Sequence, residues 1–443
     1  MLHTPFLTDL DSRAAVKGSR DPLGIQQVWT RMGRHVVGNL TTVSNSVRDF
    51  STLLLGYYFA EQLADELGPG SELATFLKWE QLAAYSRASV NGDFHFRGTE
   101  RVKRNLSESN RVTLSDERSH QILANQKIYG LWGLYTMPSR ASGLVNGSPT
   151  RLTPIAMEFV QKHCLPIMTK AGAGKDASRI VAILKAKSTR LDLKKSDAPV
   201  VPVGQVLKQD IRKAEREFFY EHLVEGGPTD ATEGRQRQLA LLLADSLSDT
   251  SFQWTPATMR HLVKAATSRG DPWQPLATDL ERIRITESVL APSSLLFEYL
   301  LGSDGLTIKE VASAVEKQWG GGLTTIEPSV LDGMHGQWSG GDSSVGDRWV
   351  AIGHALSSGR FADVIEQLIQ QNASVMTTRG GAAWIERNHG KMNVRFKDEN
   401  GKLPDEDKLG ELWRFPYFLD SLRSVARVLR EGSSRNLVAD SRF

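Results

Sequence analysis

Apolar positions along residues 25–90 recur at helical spacing. Val47, Phe50, Leu54 and Tyr58 fall near a 3.6-residue period, and Leu53, Leu55, Tyr57 and Phe59 widen the stripe until little of the circumference stays polar. A helix with that pattern has to be buried on nearly every side. Gly68-Pro69-Gly70 ends it, and Ser71 is placed to cap a second helix carrying Leu73, Phe76, Leu77 and Tyr85. Over 92–104 the pattern changes to the short alternation GDFHFRGTERVKR, which predicts a basic strand and loop holding Arg97, Arg101, Lys103 and Arg104.

Residues 117–163 predict a helix pair, a short polar hairpin and a further helix. Asp116 is placed to cap the first helix, and Pro138 suits the first turn of a later one. Asn146-Gly147 is a turn pair, and Thr153-Pro154 restarts a helix whose apolar positions include Ile155, Met157, Phe159 and Val160. That order is the order of a winged helix-turn-helix. Such a segment would put Arg140 into a DNA groove and Arg151 against phosphate.

The stretch 166–204 contains eight Lys/Arg against three acidic residues, with helical spacing in RIVAILKAKSTRLDLKK, and then APVVPVG, whose two prolines mark a linker. From Gly204 to about residue 320 the pattern is mainly helical. It turns loop-rich through Gly320-Gly321-Gly322 and HGQWSGGDSSVGD, and is helical again at 348–372. AAWIERNHGKMNVRF predicts a β-hairpin turning at Asn388-His389-Gly390, followed by a helix at 417–431 and a frayed tail. The fold class is therefore mainly α, with helical domains, a winged-helix-like segment and a small C-terminal β-hairpin. The expected domains are 1–165, a basic helix and linker over 166–204, and 205–443.

Composition narrows the setting. An apolar content of 40% and a charged content of 24% are those of a globular domain with ample core. The single cysteine, Cys164, excludes an intrachain disulfide and a cysteine-based zinc cage, and suits a reducing compartment. The first twenty residues have no basic run followed by an apolar core. The most apolar stretch, 50–59, is too short to span a bilayer. A cytoplasmic protein without a membrane partner is expected. The net charge of +3 conceals an excess of eight positive charges in residues 1–204 and five negative charges in 205–443, so different partners are expected for the two halves.

Several catalytic patterns are nearly present, and each lacks a necessary residue. AGAGKDAS resembles a phosphate loop, but Lys175 is followed by Asp176, so the hydroxyl that ligates Mg²⁺ is absent. In GGDSSVGD neither Ser343 nor Ser344 is flanked by glycines at both −2 and +2, although His335 and His354 bracket them. His389-Gly390-Lys391 starts like a phospholipase D motif, with its Asp two positions late and no second copy. PDEDK at 404–408 has the carboxylates and lysine of a restriction-type nuclease compressed into one loop. The ten histidines show no ligand spacing, and no metal or cofactor is expected. Thr307 and Glu310 form a capping box. Ten tryptophans, five of them at 319, 338, 349, 384 and 413, serve either a core or an aromatic interface.

Four blocks together, GSRDPLG at 18–24, LLLGYYFAEQL at 53–63, QKIYGLWGLYTMPSRASGLV at 126–145 and WRFPYFLDSL at 413–422, resemble uncharacterised proteins of bacterial defence or restriction operons. In those systems several subunits assemble on foreign DNA. The resemblance implies a bacterial origin and a multi-protein setting, and none of its blocks is a catalytic motif. The expected function is a non-catalytic, DNA-contacting subunit using Arg97, Arg101, Lys103, Arg104, Arg140 and Arg151, with other subunits of the operon as partners. A metal-dependent nuclease or other hydrolytic effector, and a protein-only scaffold, remain the alternatives.

Overall fold

The computed structural model describes residues 21–171, 176–195 and 199–430. The fold is mainly helical, with three two-stranded antiparallel sheets among these residues. The chain groups into two compact units. Among the described residues, one contains 21–36 and Ser251–Tyr417; the other contains Val37–Thr250 and 418–430.

The Val37–Thr250 unit is built on the predicted pair of buried helices, Val47–Leu67 and Glu72–Asn91. Ser46 caps the first, its hydroxyl accepting from the Asp49 N–H. The two pack so closely that a Cβ on Gly56 would stand 2.6 Å from the Phe76 ring and 2.8 Å from Trp79. Any side chain there would force the pair apart.

Three segments of this unit differ from their sequence pattern. Residues 99–108 form a helix, not a strand and loop, and the helix begins after Gly98 at φ 87. The alternation came from Phe94 and Phe96, whose rings lie near each other in a loop that Thr99 closes by donating to both their carbonyls, at 2.7 and 2.6 Å. Asp116 caps no helix, because 117–125 is a chain of turns. Buried amides hold it so: Gln121 donates to the Asp116 carbonyl, and Gln126 accepts from the Ile122 N–H and donates to the Leu77 carbonyl. After the short helix Gln126–Tyr129, the helix Leu131–Ala141 starts well before Pro138, which lies inside it.

The third difference concerns 166–204. The helix Asp176–Lys185 ends before the strand Ser188–Asp192, and the expected linker contains the helix Val200–Val206. Val200, Pro202, Val203 and Val206 are buried there. Pro202 falls in the first turn, where a missing N–H leaves no helical bond unmade. Gly204 permits close packing, since a Cβ would lie 2.8 Å from Val90 of the Glu72–Asn91 helix.

The Ser251–Tyr417 unit centres on the 27-residue helix Gln274–Leu300, buried on several faces. The helices Pro256–Thr267, Ser343–Ser357 and Phe361–Thr378 pack on it. Trp319, Trp338 and Trp349 are fully buried core, and Trp338 donates to Thr286 at 3.0 Å. The hairpin forms as predicted, Ile385–Asn388 against Lys391–Val394, turning through His389 and Gly390 at φ 48 and 78. Thr307 and Glu310 make the reciprocal bonds of a capping box.

Candidate nucleic-acid interface

The six basic residues singled out by sequence fall into two groups. Arg97 precedes the Thr99–Glu108 helix, which carries Arg101, Lys103 and Arg104. Arg97 approaches the Val43 carbonyl at 3.5 Å, and Arg101 donates to the Gln121 carbonyl at 2.5 Å. Lys103 lies 3.4 Å from Glu100 and over the Phe94 ring, while Arg104 is exposed. The second group belongs to the helix–hairpin segment. Arg140 donates to the Gly147 carbonyl at 3.0 Å and to Thr150 Oγ1 at 2.9 Å, so its guanidinium fastens to the helix the turn between the short strands Val145–Asn146 and Arg151–Leu152; Arg151 is exposed on the second of them. Beside Arg151 this segment also exposes large apolar side chains, among them Ile128, Tyr129 and Met137.

A denser basic site lies elsewhere in the same unit, on residues that the sequence pattern did not single out. Arg111–Ser115 pairs antiparallel with Ser188–Asp192, Arg111 opposite Asp192 and Thr113 opposite Arg190. Strand alternation buries Val112, Leu114 and Leu191 and turns Arg111 and Arg190 outward on one face. The two arginines are diagonal neighbours, so their Cα atoms stand about 7–8 Å apart.

The Glu72–Asn91 helix fixes this ribbon and the helix beside it. The Gln81 amide donates to the Ser115 carbonyl at 2.7 Å and accepts from the Ser115 N–H at 3.1 Å. Lys78 donates to the carbonyls of Leu184 and Ala186 at the C-terminal end of the Asp176–Lys185 helix, the end whose partial negative charge favours a cation. Burial lowers the Lys78 pKa, and Asp116 works the other way. Thr189 of the ribbon donates to the Ile183 carbonyl at 3.1 Å, and Ile180 and Leu184 are buried.

Ribbon and helix enclose an open cleft of about 470 Å³ lined by Arg111, Arg179, Arg190 and Lys195, with Asp192 as the one carboxylate among the described lining residues. Asp192 accepts from the Lys194 N–H at 3.2 Å and pairs with Arg111 at 3.4 Å, contacts that hold its pKa below the ordinary carboxylate range. Four cations around one concavity can grip the oxygens of a polyanion, the arginines through paired N–H donors. RVTLS alternates polar and apolar residues, whereas STRLD has Leu191 as its one apolar position and was absorbed into the helical reading of 179–195.

A second charge cluster is closed to solvent. Arg87 donates to Asp49 and Asp93, each at 2.7 Å, and to the His95 carbonyl at 2.8 Å. Burial disfavours its charge, but the two aspartates outweigh burial and raise its pKa. Glu80 accepts from the Leu131 N–H at 2.7 Å and the Gln126 amide at 2.8 Å. Complete burial still pushes its carboxyl up to about 7.

The near-catalytic patterns do not gather. His335 Nε2 meets Asp347 at 2.9 Å and His354 Nε2 meets Asp332 at 3.0 Å, while Ser339 donates to the His335 carbonyl and Ser344 bonds Asp342. Neither imidazole has a serine hydroxyl as its partner in these bonds. Asp405 is exposed and paired with Lys408 at 3.0 Å. Among the described residues no three His, Cys, Asp or Glu side chains group so as to hold a metal ion. The phosphate-loop-like run at 171–178 falls largely outside the described residues. No described helix is long and apolar enough to cross a membrane. Comparison with protein-family models, curated proteins and solved structures gives no match.

Proposed function

We propose that this chain is a non-catalytic, nucleic-acid-contacting subunit that grips the sugar–phosphate backbone through the cleft between the basic ribbon and the Asp176–Lys185 helix. The observation that carries this reading is the convergence of Arg111, Arg179, Arg190 and Lys195 on one concavity, with Asp192 the single carboxylate among its described lining residues. Backbone contacts of this kind supply affinity without sequence information. The six residues expected from sequence would extend the contact, with Lys103, Arg104 and Arg151 the exposed members. The multi-subunit bacterial setting rests on the resemblance of the four sequence blocks. A cytoplasmic setting suits the lone Cys164, which is buried and whose thiol burial pushes up to about 12.

The test is binding of the full chain to labelled DNA by fluorescence anisotropy. Joint reversal of Arg179 and Arg190 to Glu should weaken binding by at least about tenfold at low salt, because each cation neutralises a phosphate and releases counterions. Unchanged affinity in the folded double variant would sink the cleft as the contact. Reversal of Arg101 and Arg104 measures whether the Thr99–Glu108 helix adds to it.

A further inference from the structure

We infer that the cleft takes the phosphodiester backbone of a duplex in preference to a single strand; this rests on the reading of the cleft as a nucleic-acid contact. Single-strand sites combine a basic groove with aromatic side chains on which unpaired bases stack. Among the described residues lining this cleft there is no Phe, Tyr, Trp or His; its apolar wall is aliphatic, including Ile183 and Leu191. A single strand placed here would leave its bases without a stacking partner. A duplex keeps its bases stacked on one another and presents only phosphates.

The ribbon suits that ligand in two further respects. Arg111 and Arg190 project from one rigid face as diagonal neighbours, a separation of the order of that between successive phosphates along a strand. The face is held by backbone pairing and by Gln81, so little order has to be gained on binding. A concavity of about 470 Å³ admits a length of backbone and excludes a whole helix, which leaves the duplex lying across the surface with one strand in the cleft. Asp192 holds Arg111 by its Nε edge at 3.4 Å and at the same time repels the incoming phosphate.

The experiment compares a labelled mixed-sequence DNA duplex with one of its own strands, both titrated with salt against the full chain. The duplex should bind at least about tenfold tighter. Its log–log salt slope should be about −3 to −4, as four cations each displacing about 0.9 counterion require. An unlabelled duplex of unrelated sequence should compete equally. Arg190→Ala should flatten the slope by about one, and Asp192→Asn, which releases Arg111, should tighten binding and leave the slope at least as steep. A single strand that binds as tightly as the duplex overturns this inference and leaves the polyanion cleft standing. Absence of binding by both overturns the cleft reading and this inference with it. Circular dichroism melts of the two variants, both altered on the outward ribbon face, separate lost contacts from lost fold.

Discussion

One helix, Glu72–Asn91, organises two opposite uses of charge. Through Arg87 and Glu80 it closes a polar network inside the protein, where each of the three guanidinium nitrogens of Arg87 donates to an oxygen: Asp49, Asp93 and the His95 carbonyl. Through Lys78 and Gln81 it braces a ribbon and helix whose arginines face a cleft, and Arg111 there remains 61% exposed beside Asp192. The residue types are the same, and the difference lies in where the partners are. A guanidinium surrounded by protein acceptors serves the fold. One held rigid at the rim of a concavity is placed to serve a ligand.

The strongest challenge to that contrast is Arg87→Met. It would strand Asp49 and Asp93 in the interior without their counter-charge, a change that costs about 3–5 kcal/mol when a buried pair is broken from one side. Urea denaturation should show this loss, while Arg190→Ala, on the outward ribbon face, should stay within about 0.5 kcal/mol of the parent. Similar costs for the two would erase the distinction between inner and outer arginines.

A smaller effect comes from Glu80 and depends on pH. Its carboxyl is raised from 4.5 to about 7 in the folded protein by burial, so between those values the folded state binds more protons than the unfolded state. Stability contributed by the protonated group is therefore full below about pH 4.5 and is lost as pH rises through about 7. The size of the loss is about 3 kcal/mol. Glu80→Gln keeps an acceptor for the Leu131 N–H and carries no proton to lose, so it should flatten the stability profile across this window. A profile for Glu80→Gln with the parent slope would assign the pH dependence to another group, of which Glu287, also pushed up to about 7 by burial in the other unit, is the first to examine. The cleft should show no matching transition, since its arginines keep their charge throughout.

Much of the architecture was legible because burial imposes period. The helix pair at 47–91, the capped helix at Thr307 and the hairpin around His389-Gly390 all announce themselves through apolar spacing or turn residues. What stayed hidden depended on partners distant in sequence. The ribbon strands are five residues each and become a sheet only by pairing across more than seventy positions, which no local window contains. The turns at 117–125 depend on Gln121, whose amide donates to the Asp116 carbonyl, and on Gln126, whose amide donates to the Leu77 carbonyl and to Glu80. The cleft is the joint product of both ribbon strands and a helix, so its cations, scattered between 111 and 195, could be counted in the sequence as a basic half but not seen to converge. Counting charge marked one half of the chain as basic and said nothing of which cations turn outward.

The finest test separates fold from ligand at a single arginine. Arg140 is half-buried on the Leu131–Ala141 helix, and its Nη2 reaches both Gly147 and Thr150 across the hairpin turn. Two bonds from one nitrogen to partly solvated acceptors, each of modest net worth, give an expected loss of about 1 kcal/mol for Arg140→Ala. Arg140→Lys keeps the positive charge but replaces the planar fork with a single ammonium, so it should recover only part of that stability. If Arg140 serves the hairpin, the two variants should rank Ala below Lys below parent in urea midpoint and bind DNA alike. If instead its charge meets phosphate, Lys should retain most of the binding that Ala loses, and the salt slope should fall by about one for Ala alone. The second pattern would move the helix–hairpin segment into the contact surface beside the ribbon.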